Sequence, residues 1–383
     1  SGQDRPPAVP LAELLDTLDT TTIDKVRDRL VVRHPLQPFD IRNVTPGKLG
    51  RPEGTPFTFD PTVKRAAIAS TGQRTEQPPF ISGPLPPVPA DDVVLEDLVA
   101  FYRDPVKGFF RALDYTLPWD VDGVEDAMPV DINALEEWTV GDRMLQDILR
   151  GMTPKEAREA EWCRGTLPPG QLGWRKAKEI ADQATRLAET ALRYRLGEPN
   201  AYDVDIDVGS GRRLTGTVSP VFGDRLVSVT YSKLDGKHLL ASWIPLLALF
   251  ARDPTRDWHA VCIGRAKKRD ILRKEGIGRP EDNAADLLRD LVTVYDAGRR
   301  EPIPLPIKTS YAWAAARHCG DNPESEARYR WKSGDRYPAE DKEPAHLRAW
   351  GDKADLSVLI DKGLGTYSER VWLPMLRAQR AVE

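Results

Sequence analysis

Residues 204–231 read Val204-Asp-Ile-Asp-Val-Gly-Ser-Gly-Arg-Arg-Leu-Thr-Gly-Thr-Val-Ser219 and then Pro220-Val-Phe-Gly-Asp-Arg-Leu-Val-Ser-Val-Thr-Tyr231. Val204, Ile206 and Val208, then Leu214, Gly216 and Val218, alternate with polar neighbours, the period of strands with one buried face. Gly209-Ser-Gly211 and Gly223-Asp224 supply tight turns, and Arg225 to Tyr231 forms a third run. The stretch predicts a three-stranded antiparallel meander. Before it, Ala177, Ile180, Ala181, Ala184, Leu187, Ala188 and Ala191 repeat at helical spacing, so a helix is expected from Trp174 to Leu196 with Gly197 as its C-terminal cap. After it come an apolar helix at 239–251, a strand from Trp258 to Ile263, and a helix from Ala284 to Asp296 closed by Gly298. The expected fold is therefore mixed α/β, a small mixed sheet flanked by helices.

Farther out, Leu95, Leu98, Val99, Tyr102, Val106, Phe109, Phe110 and Leu113 form one helical stripe. Asp104-Pro105 within it reads as an N-cap followed by proline at the first helical position, a bend between two short helices. Helices are also expected at Leu135 to Leu149 and from Pro154 onward. Six prolines between 78 and 89 disfavour helix and central strand, marking a linker or draped arm at 77–92. A short amphipathic stretch is expected near Ile23 to Leu30. Residues 310–383, carrying Trp313, Trp331, Trp350 and Trp372 with weak periodicity, are expected to be irregular helices packed on the core.

The 383 residues carry 55 basic and 59 acidic side chains, a net charge of −4, so any site for a polyanion must be a local patch. The apolar run from His238 to Ala251 is shorter than the roughly 20 residues of a bilayer span, and Pro245 interrupts it. Three scattered cysteines, Cys163, Cys262 and Cys319, make neither a disulfide framework nor a four-thiolate metal site, and fit a reducing cytoplasm. Ser1-Gly2, with no initiator Met, reads as a scar at the start of a piece excised from a longer protein.

The order helix, meander, helix, strand resembles the core of the PD-(D/E)xK nuclease superfamily. In active members related to RecB-type helicase-nucleases, successive strands bring two carboxylates and a lysine, and the next helix a Gln and a Tyr. By that resemblance Ser219 and Thr230 stand at the carboxylate positions and Ser232 at the lysine's, while Gly216 and Tyr231 keep the framework and Trp243 and Pro245 occupy the helix positions. Hydroxyls cannot replace the carboxylates that anchor Mg²⁺. The resemblance thus implies a degenerate core with no catalytic residue and no metal or other cofactor.

A wider resemblance covers nearly the whole chain. Asp97-Leu-Val-Ala-Phe-Tyr-Arg-Asp-Pro-Val-Lys-Gly-Phe-Phe110, Leu135-Glu-Glu-Trp-Thr-Val-Gly-Asp142, Arg164-Gly-Thr-Leu-Pro-Pro-Gly170, Gly216-Thr-Val218, Lys308-Thr-Ser310 and Trp350-Gly351 are similar to the C-terminal part of the RecC family, the gamma subunits of RecBCD-type helicase-nucleases (exodeoxyribonuclease V). It implies the end of a helicase-like region at 1–76, a helical region at 93–170, a degenerate nuclease-like core at 171–310 and a peripheral helical segment at 311–383. It also implies RecB-like and RecD-like partner subunits, contact with double-stranded ends and single-stranded DNA, and a strand-splitting pin for which a core hairpin or the loop after Ile263 are candidates.

Arg265-Ala-Lys-Lys-Arg-Asp-Ile-Leu-Arg-Lys274 holds six basic residues against one acid. Arg265, Lys267, Lys268, Arg269, Arg273 and Lys274 are the candidate phosphate contacts, with a solvated loop as the competing reading. Asp203, Asp205 and Asp207 share one face of a strand; they form either a migrated metal site, with Lys233 as its cation, or the charged outer side of an edge strand. No phosphate loop of the G-x-x-x-x-G-K-[ST] type occurs, which argues against ATP hydrolysis. A protein-only interaction scaffold is the third reading.

Overall fold

A computed structural model describes residues 7–73, 80–81, 83–87, 91–116, 132–266, 272–332, 334, 339–352 and 354–382. The chain divides into two compact units, Ser1–Gln77 and Pro78–Glu383. In the first, α1 (Val9–Thr21) buries Leu15, and α3 (Ile41–Val44) and α4 (Pro61–Thr71) begin at aspartates whose carboxylates accept from backbone N–H groups. The expected amphipathic stretch is only a single turn, α2 (Arg27–Leu30), and Ile23 is fully exposed.

The second unit is built on a seven-stranded mixed sheet. Its strands are β1 (Val93–Val94), β2 (Pro199–Gly209), β3 (Arg212–Phe222), β4 (Arg225–Lys233), β5 (His259–Arg265), β6 (Leu272–Ile277) and β7 (Gln379–Arg380). The meander β2–β3–β4 is present as expected, with both turns at the glycines named above. β5 lies parallel to β4, joined through the crossover helix α10 (Gly236–Arg252), and β6 and β7 extend the sheet antiparallel. The run 265–274, whose composition suggests a loop or patch, instead ends as strand β6. The short strands β1 and β7 carry too few residues to show a period.

Both faces of the sheet are covered. On one, α5 (Leu95–Arg103), α10 and α11 (Ala284–Arg300) share a core with Val204, Leu214, Val218, Ala260 and Ile277. On the other, α7 (Ala134–Leu149), α8 (Pro154–Cys163) and α9 (Gly170–Leu192) pack on Val227, Tyr231, Val261 and Ile263. Because α10 lies inside the first core, its surface is apolar over most of its circumference: eleven of its residues are buried. No helix among the described residues is long and apolar enough to cross a membrane.

The bend at Asp104-Pro105 forms as expected: the Asp104 carboxylate accepts from Lys107 N–H and Pro105 opens α6 (Pro105–Ala112). Two glycines have other roles than expected. α9 ends at Leu192, so Gly197, at φ 82°, serves the turn before β2 rather than the helix cap. Gly298 lies inside α11, where a Cβ would run into the ring of Phe101; Gly108 of α6 meets the same ring, its Cβ position 2.5 Å from Phe101 Cδ2. The aromatic ring inside the Asp97–Phe110 phrase is thus gripped between two helices that can approach only as glycine.

The C-terminal tryptophans are packing residues. Trp331 donates to the Ala354 carbonyl and Trp372 to Ser310 Oγ, and both are buried. The Lys308-Thr-Ser310 phrase opens α12 (Ile307–Cys319), whose own N-cap, Pro306, offers no side-chain acceptor. Glu340 supplies it from outside, accepting from Lys308 N–H at 2.8 Å and from Thr309 N–H and Oγ1 at 2.7 Å each. Burial pushes the Glu340 carboxyl above its ordinary range, and these donors act in the opposite sense. α13 (Pro323–Trp331), α14 (Pro344–Trp350), α15 (Leu356–Asp361) and α16 (Leu364–Arg377) complete the unit, with Val371, Trp372 and Met375 entering the first core.

Gly141 of α7 lies against the ring of Tyr231 with no room for a Cβ. Gly141→Ala is expected to destabilise the larger unit by about 1–3 kcal/mol through overpacking, read as a lower urea midpoint. Glu340→Ala is expected to cost a comparable amount, about 2–3 kcal/mol, by stranding the helix-opening donors, while Glu340→Gln, which keeps an acceptor, is expected to cost less.

Candidate functional site

The two strands that would carry a nuclease-like centre separate. β3 and β4 are bonded only at Val221–Leu226 and Phe222–Arg225, next to their turn. Toward its other end, β3 is bonded instead to β1, at Leu214 and Thr215. The fork leaves a cleft of about 540 Å³, lined by the start of α5, by β3 and β4, and by Ala241, Ser242 and Pro245 of α10. Pro245 lacks the N–H that would bond the Ala241 carbonyl in a regular helix. Gly216, at φ 158°, has its Cβ position 2.8 Å from Leu95 Cβ, so only glycine lets α5 close this wall.

The lining residues with hydroxyls are Thr217, Ser219, Ser228 and Ser242, and Glu96 is the carboxylate among them. Ser219, placed at the first carboxylate position by resemblance, does line it. Thr230 and Ser232 do not. An unbroken two-residue period would bring both into one pocket, but the β4–β5 register slips between Val229–Ile263 and Lys233–Arg265. Within that slip Thr230 Oγ1 accepts from Ser232 N–H at 3.1 Å, and Ser232 Oγ accepts from the Trp138 indole at 2.8 Å. Of the two expected helix positions, Pro245 faces the cleft while Trp243 is buried in the core. Glu96, Ser228 and Ser242 are not recognisable as site residues from the sequence, because neither period nor spacing brings them together; the strand fork does.

The Asp203, Asp205 and Asp207 carboxylates lie on the exposed side of β2, opposite the buried Val204, Ile206 and Val208. Asp205 pairs with Arg213, Asp203 accepts from Thr217 Oγ1 at 2.7 Å, and Asp207 accepts from Gly209 N–H at 2.7 Å. Lys233 lies at the far end of β4, beside Arg265 of β5. Among the described residues no group of three or more His, Cys, Asp or Glu side chains is placed to hold a metal ion.

Of the basic candidates, Lys267, Lys268 and Arg269 lie outside the described residues. The other three do not form one patch. Arg265 sits 4.3 Å over the Tyr231 ring, with Nη1 reaching Gln183 at 3.3 Å and Glu137 at 3.5 Å. Arg273 pairs with Glu275 at 2.8 Å and donates to the Leu234 carbonyl. Lys274, the next residue on β6, points to the opposite face and meets Tyr194 Oη at 3.0 Å. Strand alternation separates side chains that a loop could have presented together.

Cys262 of β5 is buried beneath α10, and desolvation pushes its thiol up to about 12, whereas Cys163 and Cys319 are exposed. A thiol-reactive dye is expected to titrate two cysteines in the folded protein and the third only after denaturation.

Known proteins share the sequence of this unit. Residues 90–318 match the family model described as the RecC C-terminal domain. The chain is 66% identical, over 394 aligned residues, to the RecBCD enzyme subunit RecC of Mycolicibacterium smegmatis, an alignment covering 100% of this chain and 36% of that protein. It is 56% identical over the same coverage to the RecC subunit of Mycobacterium tuberculosis. To that of Escherichia coli it is 23% identical over 76% of this chain and 24% of the relative. The chain thus spans 36% of the length of its mycobacterial relatives. With the match extending from β1 through α12, the chain belongs to the RecC C-terminal domain family.

Proposed function

We propose that this chain is a non-catalytic DNA-handling and assembly module of a RecBCD-type helicase-nuclease, acting in the cytoplasm in double-strand break processing, recombination and repair. Its partners on this reading are RecB-like and RecD-like subunits, double-stranded DNA ends and single-stranded DNA. Residues 1–76 would end a helicase-like region, 77–92 link it to the helical region 93–170, and 171–310 form a degenerate nuclease-like core with 311–383 packed around it.

The observation that carries the proposal is the cleft at the β3–β4 fork. A metal-dependent phosphodiesterase needs carboxylates to draw Mg²⁺ out of its hydration shell and a cation or base beside the attacked phosphate. Here Ser219 lines the fork in place of a carboxylate, Glu96 is a single carboxylate, and the Ser232 and Thr230 hydroxyls are engaged elsewhere. The names of the relatives, each a subunit of a RecBCD enzyme, support the assembly role.

Incubation with linear single- and double-stranded DNA and Mg²⁺ or Mn²⁺ is expected to leave the DNA intact. Metal-dependent degradation lost in Asp205→Ala or Glu96→Gln would overturn the proposal in favour of an active nuclease. Forked DNA is expected to bind with salt-sensitive affinity, and reversing charge at Lys267, Lys268 and Arg269 to lower the salt slope by about 0.9 for each phosphate no longer neutralised. Copurification with a RecB-like subunit but no DNA binding at low salt would leave a protein-only scaffold.

A further inference from the structure

A second cavity, of about 240 Å³, lies against β4, β5, β6 and β7. Its floor is Ala260, Val261 and Gly276, from β5 and β6. Its walls combine the apolar Ala381 and Val382 with four polar side chains: Arg225 at the start of β4, His259 at the start of β5, Arg380 of β7, and Tyr194 just beyond α9. The register explains why they meet. Arg225 is the direct cross-strand partner of His259, and Arg380 that of Gly276, so three strands deliver their side chains to one end of the sheet. The glycines make room: the Cβ position of Gly276 is 3.3 Å from Arg380 Cγ and that of Gly278 3.2 Å from Arg380 Cδ, so the arginine lies over two positions without side chains.

The charge of this cavity is poorly compensated. Among the described residues no carboxylate pairs with Arg380 or Lys274, and Arg225 has only Asp224, at 3.9 Å. Burial holds the His259 imidazole below its ordinary range, and nearby Arg380 and Arg225 press in the same direction while Asp224 opposes them. The Tyr194 hydroxyl is the most informative group. Lys274 Nζ, 3.0 Å away, can only donate, so Tyr194 Oη is the acceptor, and among the described residues no acceptor takes its own proton. Its O–H is thus available to donate to a ligand in the pocket it lines.

We propose that this pocket binds a phosphate group, held by the Arg225 and Arg380 guanidiniums and the Tyr194 hydroxyl, with His259 on its wall. The donors come from two strands and the segment after a helix, and arginine's fork matches phosphate oxygens in pairs. The group comes either from a nucleic-acid strand or from free phosphate. The inference does not rest on the DNA-handling reading, since inorganic phosphate alone is the first probe.

The test is titration of the full chain with inorganic phosphate, followed through the His259 ring resonances and by calorimetry, against sodium chloride at matched ionic strength. Saturable shifts specific to phosphate are expected. Arg380→Gln and Tyr194→Phe should each weaken binding by about tenfold or more, with Arg317→Gln, on α12 and paired with Glu369, as an unaffected control. Thermal unfolding checks that each variant is folded; Tyr194→Phe, which keeps the ring, decides the matter if Arg380→Gln does not fold. Competition by a 5′-phosphorylated oligonucleotide but not its unphosphorylated twin identifies a strand end as the source. Competition by both identifies backbone phosphate, and by neither a free-phosphate site. Shifts reproduced by chloride, absent altogether, or unchanged in Tyr194→Phe overturn the proposal.

Discussion

Burial of a mixed sheet on both faces is the constraint from which the larger unit follows. The parallel pairing of β4 with β5 cannot be made by a tight turn; it requires a crossover, and α10 provides it. That helix must then lie on the sheet, and with α11, α5 and the C-terminal helices packed around it, nearly every side of it is inside the protein. The opposite face needs its own cover, which α7, α8 and α9 supply. Small residues set how closely these layers approach: alanines line α9 where it meets β4 and β5, and glycines at 108, 141, 216 and 298 admit a neighbouring aromatic ring or backbone. The apolar burial is large in gross terms, but each of these close approaches decides whether it is realised in one arrangement or several.

The same constraint shapes the fork. β3 is bonded on one edge by β2 throughout, but its other edge is divided between β4 near the turn and β1 at the far end. A strand shared in this way necessarily parts from its hairpin partner, and the gap becomes a cleft roofed by the helix that follows β1 and floored by α10. Here the lining residues include serines and a threonine and a single carboxylate, Glu96.

Much of this is legible in the chain because strong local signals agree with the tertiary arrangement. The meander, its two glycine turns, the proline-opened bend at Asp104-Pro105 and the alanine-lined helix are each written in residues whose backbone preferences match their final state. What is not legible depends on partners distant in sequence. β6 carries Arg273, Lys274 and Glu275 between Leu272 and Ile277, so its composition resembles a solvated loop until β5 and β7 hold it from both sides. Gly298 resembles a helix stop because it follows a periodic run, but Phe101, far upstream, dictates it. An ideal strand, with its regular alternation, would set Thr230 and Ser232 side by side in the cleft; the register slip next to β5 removes that regularity. The basic run is visible as charge, but its division between the two sheet faces is not.

The capping of α12 by Glu340 ties together segments made at different times. The acceptor lies 31 to 32 positions beyond the amides it satisfies. As the polypeptide emerges from N- to C-terminus, the first turn of that helix has to wait for a residue not yet synthesised. The segment that follows the helix is therefore a condition of the helix's own completion, and the Lys308-Thr-Ser310 phrase is one half of a clasp whose other half arrives later.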